Sequence, residues 1–323
     1  MRYRRLGATG LEVSEVGFGA WGIGGVRDGA ASYGPTDDDE SLRALRRAFE
    51  LGVTFYDTSD LYGQGHSERL IGTAFKRVRE RVVLATKVGF LASTGPQDFS
   101  ERHIHAAFEG SLRRLQTDYV DLYQLHNPPI ELLASEPEIV EALAGLKREG
   151  KVRAIGISVR SPEDGFDAVT RFGFKAMQVN FSMVDQRARA NGLLALCERE
   201  DVGVICRTPL CYGFLTGKYS SDYGFDAHDH RGRWPVEQLA RWAEAPSVFG
   251  AAVRCEDHTQ AQLALRFCLS YPSVATTIPG MLTPAHAEEN ARTSALGPLA
   301  EAERMAIEDV YRYREFFVGA PKR

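Results

Sequence analysis

The chain has 323 residues, of which 44% are hydrophobic and 25% are charged, and its formal net charge is −4. A chain of this length can bury a substantial core in one large barrel or in two medium domains. The mildly acidic balance provides no basic surface of the kind that nucleic acids or anionic membranes attract, which excludes both as partners. No run approaches the ~20 apolar residues that cross a bilayer.

Cysteine usage and the start of the chain indicate a cytoplasmic protein. An odd number of cysteines without a C-x-x-C pair is typical of reduced thiols rather than of a disulfide framework. The basic segment 1–7 has no apolar run behind it, unlike a secretory signal. The five cysteines are Cys197, Cys206, Cys211, Cys255 and Cys268.

Short β-branched apolar runs alternate along the chain with segments of helical spacing. The strand-like runs lie at 13–18, 53–56, 82–86, 120–125, 154–157, 176–179, 202–206 and 274–278. The helical segments lie at 37–51, 67–77, 99–115, 136–149, 162–171, 188–200, 258–270 and 284–292. Eight strand–helix units in about 290 residues predict an α/β fold, the closed (β/α)8 barrel of TIM type.

Two segments exceed the eight units. Residues 300–313 have the spacing of a C-terminal helix, and 219–257 is too long for a simple crossover and is interpreted as an insertion. Such loops often act as lids over a site. No linker divides the chain, so we expect one domain over 1–323. An open doubly wound sheet is the competing fold, although it would normally have fewer strands.

A G-x-G-x-x-G sequence, Gly17 to Gly22, follows the first predicted strand and raises the question of a Rossmann dinucleotide site. That motif must open a helix, whereas glycines and a proline prolong an irregular loop here until about Thr36. We therefore interpret the segment as a loop at the active end of a barrel, where Trp21 would wall a pocket.

Polar residues follow three of the predicted strands at the point where each strand ends. Asp57 ends the second, Lys87 the third and His126 the fourth, and Tyr62 lies five residues after Asp57. Active sites of (β/α)8 barrels lie at the carboxyl ends of their strands, where these residues would converge. Each residue alone has an ordinary structural explanation, as a cap, a packing residue or a surface charge, but the set is hard to explain that way.

The four residue types together suit the delivery of a proton to an oxygen. An ammonium group beside a phenol favours the ionised form, so Lys87 is expected to lower the pKa of Tyr62. Asp57 would keep Lys87 charged and in place, and His126 would donate a hydrogen bond to a substrate carbonyl. The four residues therefore predict a carbonyl reductase, in which a proton is delivered to the oxygen as hydride arrives at the carbon.

Two other chemistries have weaker support. The His103-Ile104-His105 sequence could suggest a metal, but it falls inside a helical segment opened by Ser100, where the two rings would not converge on one ion. The segment 156–160 lacks the second glycine of a nucleophile elbow. We therefore predict no metal site and no serine acyl transfer.

The chain resembles the aldo-keto reductase family, in its bacterial branch, along nearly its whole length. Motifs of that family occur in order: Leu6-Gly7, Thr9-Gly10, Val13-Ser14 and Gly17-x-Gly19, then Tyr56 to Gly63, Ser67-Glu68 and Gly72, then Thr86-Lys87 and Leu125-His126. The resemblance implies a (β/α)8 barrel and assigns Asp57, Tyr62, Lys87 and His126 to the family's catalytic tetrad.

The resemblance also implies that NADPH lies across the mouth of the barrel, with NAD as an alternative. Lys218, Arg231 and Arg233 are candidates to bind its phosphates, although a solvated loop explains the two arginines equally well. The positions expected to bind the cofactor are Gly19, Trp21, Asp57, Ser158, Gln178, Arg207, Pro209, Leu210, Gly213, Leu215, Lys218, Arg231, Gly280, His286, Glu289 and Asn290.

Three positions depart from the family pattern. Arg207 stands where an aromatic residue often stacks on the nicotinamide; its planar guanidinium could also stack, and its charge would suit an anionic or polyhydroxylated substrate. Met281 and Leu282 replace the basic residue that often binds the 2′-phosphate, with His286 as the nearest substitute. Val159 follows Ser158 where asparagine is common.

Two functions from different classes remain. The first is an NADPH-dependent reductase of an aldehyde or ketone, sugars included. The second is a cofactor-binding regulatory protein on the same barrel, similar to the potassium-channel β-subunits.

Overall fold

Strands and helices alternate through most of the computed structural model, which describes residues 1–26, 31–92, 95–253 and 257–319. The strands are β1 (Tyr3–Arg5), β2 (Glu12–Ser14), β3 (Phe18–Gly19), β4 (Phe55–Asp57), β5 (Val83–Val88), β6 (Val120–His126), β7 (Val152–Ser158), β8 (Ala176–Asn180), β9 (Gly203–Arg207) and β10 (Val274–Thr277). The α-helices of the described residues are α1 (Asp38–Glu50), α2 (His66–Phe75), α3 (Glu101–Leu115), α4 (Leu132–Ser135), α5 (Glu138–Arg148), α6 (Pro162–Thr170), α7 (Arg187–Ala190), α8 (Leu193–Arg199), α9 (Val236–Ala252), α10 (Gln260–Leu269), α11 (Pro284–Leu296) and α12 (Glu301–Tyr313).

Strands β3 to β10 form one parallel sheet in which every strand pairs with its sequence neighbours. The sheet closes on itself, because parallel bridges join Val16 to Thr277 and Gly19 to Gly280. The backbone N–H of Gly17 donates to the carbonyl of Thr277 at 2.8 Å across the same seam. The predicted (β/α)8 barrel is confirmed.

The antiparallel hairpin of β1 and β2 covers the amino-terminal end of the barrel. Leu6, Leu11 and Val13 are buried in one cluster with the interior side chains of the barrel strands, many of which are alanines. At Gly7, which has φ +53°, an added Cβ would lie 2.3 Å from the backbone nitrogen of Gly203. Only glycine fits this contact, since the position needs both a left-handed backbone and an absent side chain.

The predicted first strand, 13–18, is wrong as a single element. Val13 belongs to β2 of the hairpin, whereas Phe18 begins barrel strand β3. Between them lies Glu15, whose buried carboxylate pairs with Arg2 at 2.8 Å and Arg4 at 2.9 Å. Apart from this residue and Ser14 the run has no polar side chain, so its pattern does not show where one strand ends and the next begins.

Capping residues begin several helices at the predicted places. The side chain of Asp37 accepts from the N–H of Glu40 at 2.7 Å, and Thr259 opens α10 with a capping box. Such caps satisfy backbone donors that have no partner within the helix. Ser100 caps α3 in the same way, so His103 and His105 lie within a helix, as predicted.

The insertion at 219–257 contains helix α9, for which the sequence analysis assigned no regular element. Pro246 lies inside this helix, and proline is a signal that normally ends one. The helix packs through Trp242, whose indole ring lies 5.7 Å from the ring of Phe214. The chain after α12 folds back onto α9, where Gln238 donates to the carbonyl of Phe316 at 2.8 Å.

None of the described helices is long and apolar enough to cross a membrane.

Candidate active site

The carboxyl ends of three neighbouring strands deliver the predicted tetrad to one place. Asp57 is the last residue of β4, Lys87 is the fifth of the six residues of β5, and His126 is the last residue of β6. Tyr62 follows on the turn before α2, where its N–H donates to the carbonyl of Ser59 at 3.2 Å. The strand order β4–β5–β6 therefore explains why residues 30 to 39 positions apart meet.

The ammonium of Lys87 is the centre of this group. It is fully buried and donates to Asp57 Oδ2 at 2.6 Å, to the Thr58 carbonyl at 2.8 Å and to the Tyr62 hydroxyl at 3.1 Å. Three acceptors match the three hydrogens of an ammonium, so its orientation is fixed. Asp57 supplies the opposite charge that a buried lysine requires.

Two glutamines hold the other oxygen of Asp57. Gln178 donates to Asp57 Oδ1 at 2.8 Å and Gln124 at 3.3 Å. Gln178 was predicted only as a cofactor contact, and Gln124 was missed. In the sequence, Gln124 is a polar residue within the mostly apolar strand β6. In the structure its side chain is fully buried.

The pKa of Tyr62 shifts opposite to the prediction. Burial raises the pKa of Tyr62 above its usual value, and this outweighs the neighbouring charge of Lys87, which acts in the predicted direction. Burial opposes the charge on Lys87, but Asp57 and Tyr62 outweigh it, so the pKa of Lys87 is raised. The pair is therefore an ammonium and a protonated phenol, which is the state of a proton donor.

His126 is a neutral imidazole. Burial, followed by the charges of Lys87 and Arg207, holds the pKa of His126 well below its usual value. Its Nδ1 lies 3.2 Å from the hydroxyl of Ser59, and its ring packs edge-on against Phe90 with the ring centroids 4.9 Å apart. A neutral imidazole carries one N–H donor, and the other ring nitrogen is an acceptor.

A cavity of about 420 Å³ opens above the tetrad at the barrel mouth. It exposes Tyr62 and His126 to a ligand, while Lys87 stays behind Tyr62. The predicted cofactor positions that line it are Gly19, Trp21, Asp57, Gln178, Arg207, Pro209, Leu210, Gly213, Lys218, Arg231, Gly280, His286, Glu289 and Asn290.

Two predicted cofactor positions are not among the residues lining this cavity. Leu215 is fully buried in the apolar core. Ser158 is also buried, and its hydroxyl donates to Asn127 Oδ1 at 2.8 Å, so Asn127 stands between it and the opening. Asn127 directly follows the last residue of β6, and it was missed in the sequence analysis because only His126 was assigned at that strand end.

Arg231 lines the cavity, but its charge is already neutralised. Its guanidinium donates to both carboxylate oxygens of Asp229, the shortest contact being 2.6 Å, and to the carbonyl of Tyr212 at 3.0 Å. The rings of Tyr33 and Tyr219 lie 4.7 and 4.6 Å from it. Arg231 therefore connects the loop that contains Tyr33 to the insertion that contains Tyr219. Either a phosphate contact or a solvated charge was expected at Arg231 from the sequence, and neither expectation predicted this role. Arg233 is exposed.

Arg207, in contrast, is incompletely partnered. One terminal nitrogen donates to the Val159 carbonyl at 3.0 Å, whereas its buried Nε has no hydrogen-bond partner. Burial lowers the pKa of Arg207 from its very high usual value, and the guanidinium stays charged. A guanidinium whose Nε is a buried and unused donor beside a cavity indicates a position built for a polar ligand.

The loop after Arg207 has an unusual backbone. Thr208, Cys211 and Tyr212 all adopt positive φ, at 58°, 47° and 56°. Such conformations cost energy in non-glycine residues and persist where the surrounding structure holds them. Here the Thr208 hydroxyl is tied to Asn180 Oδ1 at 2.9 Å. No feature of the sequence predicted this strain.

Metal chemistry has no residues to support it in the described parts of the chain. No group of three histidine, cysteine or carboxylate side chains there could hold an ion. Cys197, Cys206, Cys211 and Cys268 are free and buried, and Cys255 lies outside the described residues.

A protonated tyrosine held by a buried lysine–aspartate pair, beside a neutral histidine at a barrel mouth, suits an oxidoreductase that delivers a proton to a carbonyl oxygen. Comparison with known proteins agrees: the model of the aldo/keto reductase family matches residues 15–312. The chain belongs to the aldo/keto reductase family.

Individual relatives align along most of the chain. The uncharacterized oxidoreductase YqkF of Bacillus subtilis is 32% identical, covering 97% of this chain and 99% of its own. The aldo-keto reductase yakc [NADP(+)] of Schizosaccharomyces pombe is 31% identical, with 86% and 83% covered. Among solved structures, the holo form of aldo-keto reductase AKR11C1 from Bacillus halodurans superimposes with a TM-score of 0.79 at 31% identity, covering 96% of both chains.

Proposed function

We propose that the protein is an NADPH-dependent reductase of aldehydes or ketones, sugars included, with Tyr62 as the general acid. The contact of the Lys87 ammonium with both Asp57 and the Tyr62 hydroxyl, at 2.6 and 3.1 Å, carries this proposal. It gives the chain a fixed proton donor that faces an open cavity.

The residues around the cavity fit a nicotinamide cofactor. The unused Nε of Arg207 offers a buried donor and a planar face near the tetrad. Farther along the same cavity, Lys218 is exposed and lies close enough to His286 to lower the pKa of that imidazole, after burial. Lys218 is thus the cation placed to hold a phosphate group, with the imidazole of His286 as a neutral hydrogen-bonding group beside it. A bound nicotinamide supplies hydride to a carbonyl carbon.

The proton for the carbonyl oxygen comes from Tyr62. Its raised pKa keeps the hydroxyl protonated at neutral pH, while the adjacent ammonium of Lys87 stabilises the phenolate that remains after transfer. Lys87 and Asp57 do not need to change protonation, since the pair is neutral as a whole and fully buried.

His126 completes the arrangement as a donor to the same oxygen. Its ring lies edge-on to Tyr62 with centroids 6.0 Å apart, so one carbonyl oxygen can meet both groups. A fixed donor aimed at a developing negative charge typically contributes a factor of about 10²–10³ to the rate.

The preference for NADPH rests on the exposed ammonium of Lys218 and on the relative named for NADP(+). Because Met281 and Leu282 provide no cation after Gly280, we expect a moderate preference only. Lys218→Ala should weaken NADPH binding more than NADH binding, which titration of cofactor fluorescence measures for both nucleotides.

The decisive experiment follows NADPH consumption with a panel of aldehydes, ketones and aldoses, using the whole chain and Tyr62→Phe. Turnover with at least one carbonyl, lost in Tyr62→Phe while NADPH still binds, would support the enzyme. Tight NADPH binding without turnover on any carbonyl would instead favour the regulatory role predicted as the alternative.

A further inference from the structure

The hydroxyl of Ser59 has three polar neighbours but only one hydrogen to donate. It lies 3.0 Å from Asp60 Oδ1, 3.2 Å from His126 Nδ1 and 3.1 Å from the backbone N–H of Leu61. Leu61 is a donor, so Ser59 accepts from it. The single hydrogen must then go either to Asp60 or to His126.

This choice determines which nitrogen of His126 carries its proton. With Nδ1 held by Ser59, Nε2 is the ring nitrogen left for the cavity that His126 lines. If Ser59 donates to Asp60, only a lone pair faces Nδ1, so Nδ1 must carry the hydrogen and Nε2 is bare. If Ser59 donates to Nδ1, Nε2 carries the hydrogen, and only this tautomer can donate to a carbonyl oxygen.

We propose that Ser59 and Asp60 are positioning residues that select the tautomer of His126. With Asp60 ionised, Ser59 donates to the carboxylate and His126 presents a bare Nε2. With Asp60 protonated, the carboxyl O–H donates to Ser59, Ser59 donates to Nδ1, and His126 presents Nε2–H to the substrate. The catalytic consequence rests on the proposed reductase function, but the tautomer itself does not.

The surroundings of Asp60 allow both of its states. Glu68 on α2, Arg114 on α3 and Tyr123 on β6 face it. The guanidinium of Arg114 is committed to Glu68, with Nε–Oε2 at 2.6 Å, and among the described residues no lysine or arginine forms an ion pair with Asp60. Burial, and then the charge of Glu68, raise the pKa of Asp60 to about 7.

His126 itself stays neutral when the protonation state of Asp60 changes. Lys87 and Arg207 both face it and, with burial, keep its pKa far below its usual value. Protonation at Asp60 is therefore transmitted as a rearrangement of hydrogens, with no net charge gained on the ring.

The first experiment reads the tautomer directly. Nitrogen NMR of the whole chain, labelled at histidine, distinguishes the protonated from the bare ring nitrogen, and His126→Gln identifies the resonances of His126. Between about pH 6 and pH 9 the hydrogen is expected to move from Nε2 to Nδ1. Asp60→Asn should abolish this change, whereas Asp39→Asn, which removes an exposed carboxylate of α1, should preserve it.

The second experiment measures kcat/KM for carbonyl reduction over the same pH range. In the wild type, the ratio should fall about tenfold or more as Asp60 ionises, because the donor to the carbonyl is withdrawn. Asp60→Asn and Ser59→Ala should each lose this step, because either change breaks the relay. Asp39→Asn should retain it.

Either of two results would overturn the proposal: one tautomer of His126 at every pH in the wild type, or a pH-dependent exchange that persists in both Asp60→Asn and Ser59→Ala. Failure of the reductase function is a separate outcome. In that case no carbonyl is reduced, yet the NMR measurement still determines whether Asp60 selects the tautomer.

Discussion

Replacing Lys87 with methionine tests the tetrad through stability as well as activity. The change removes the ammonium that contacts Asp57 and Tyr62 and leaves the Asp57 carboxylate, which is 1% exposed, without its counter-charge. Removing one partner of a buried ion pair typically costs about 3–5 kcal/mol. Because Gln178 and Gln124 still donate to Asp57 Oδ1, we expect the lower end of that range.

The magnitude is measurable by calorimetry. With an unfolding entropy of about 2.1 cal/mol/K per residue, a loss of 3 kcal/mol lowers Tm by roughly 4–5 °C in a chain of this length. The matched control is the double variant Lys87→Met/Asp57→Asn, which removes the uncompensated charge and should regain most of the stability. Neither variant should reduce carbonyls, because no ammonium then contacts the Tyr62 hydroxyl to stabilise the phenolate.

The reasoning would be refuted if Lys87→Met melted at the wild-type temperature, or if the double variant recovered turnover. Recovery of stability without activity would separate the two roles of Lys87. One role is to neutralise Asp57, and the other is to support proton transfer from Tyr62.

Three further predictions concern Tyr62 and the closed end of the barrel. Tyr62→Phe should lower kcat by about 10²–10⁴ with little change in the dissociation constant of NADPH, because it removes the proton donor alone; steady-state rates and fluorescence titration check both values. The raised pKa of Tyr62 should keep its hydroxyl protonated at every pH at which an unperturbed phenol, with a pKa of about 10, is protonated, so in Asp60→Asn the rate of reduction should stay level over that range; a fall at lower pH would contradict the assignment of Tyr62 as the acid. Gly7→Ala should lower the free energy of unfolding in urea by at least about 1–3 kcal/mol, because the added Cβ would lie 2.3 Å from a backbone atom. Gly10→Ala should lower it less, because Gly10 is also at positive φ but has no atom within 4 Å of an added Cβ.

That Asp57, Lys87 and His126 lie together was predictable, because strand ends leave a mark in the sequence. Asp57, Lys87 and His126 each follow an apolar run, and the barrel topology brings such positions to one end. The sign of the pKa shift of Tyr62 was not predictable, since it depends on how deeply the phenol is buried. Burial is a property of the packed barrel and not of the spacing between Tyr62 and Lys87.

Other features depend on long-range contacts that no local pattern records. The pairing of Glu15 with Arg2 and Arg4 decides where the hairpin gives way to the first barrel strand. Arg231 was predicted as a phosphate-binding residue, but its ion pair with Asp229 already neutralises its charge. Helix α9 was missed because Pro246 lies inside a segment whose stability comes from packing around Trp242.

The hairpin closes the end of the barrel opposite the cavity. Stability and catalysis can therefore be altered by substitutions at different ends of the molecule. Leu6 and Val13 pack against the interior side chains of the barrel at its amino-terminal end, and neither of them lines the cavity. Substitutions there should alter the temperature of unfolding and leave the rate constants untouched. A surface attachment or affinity tag placed near Tyr3, which is 45% exposed, would therefore hold the protein by the end that does no chemistry, with its open mouth facing the solution.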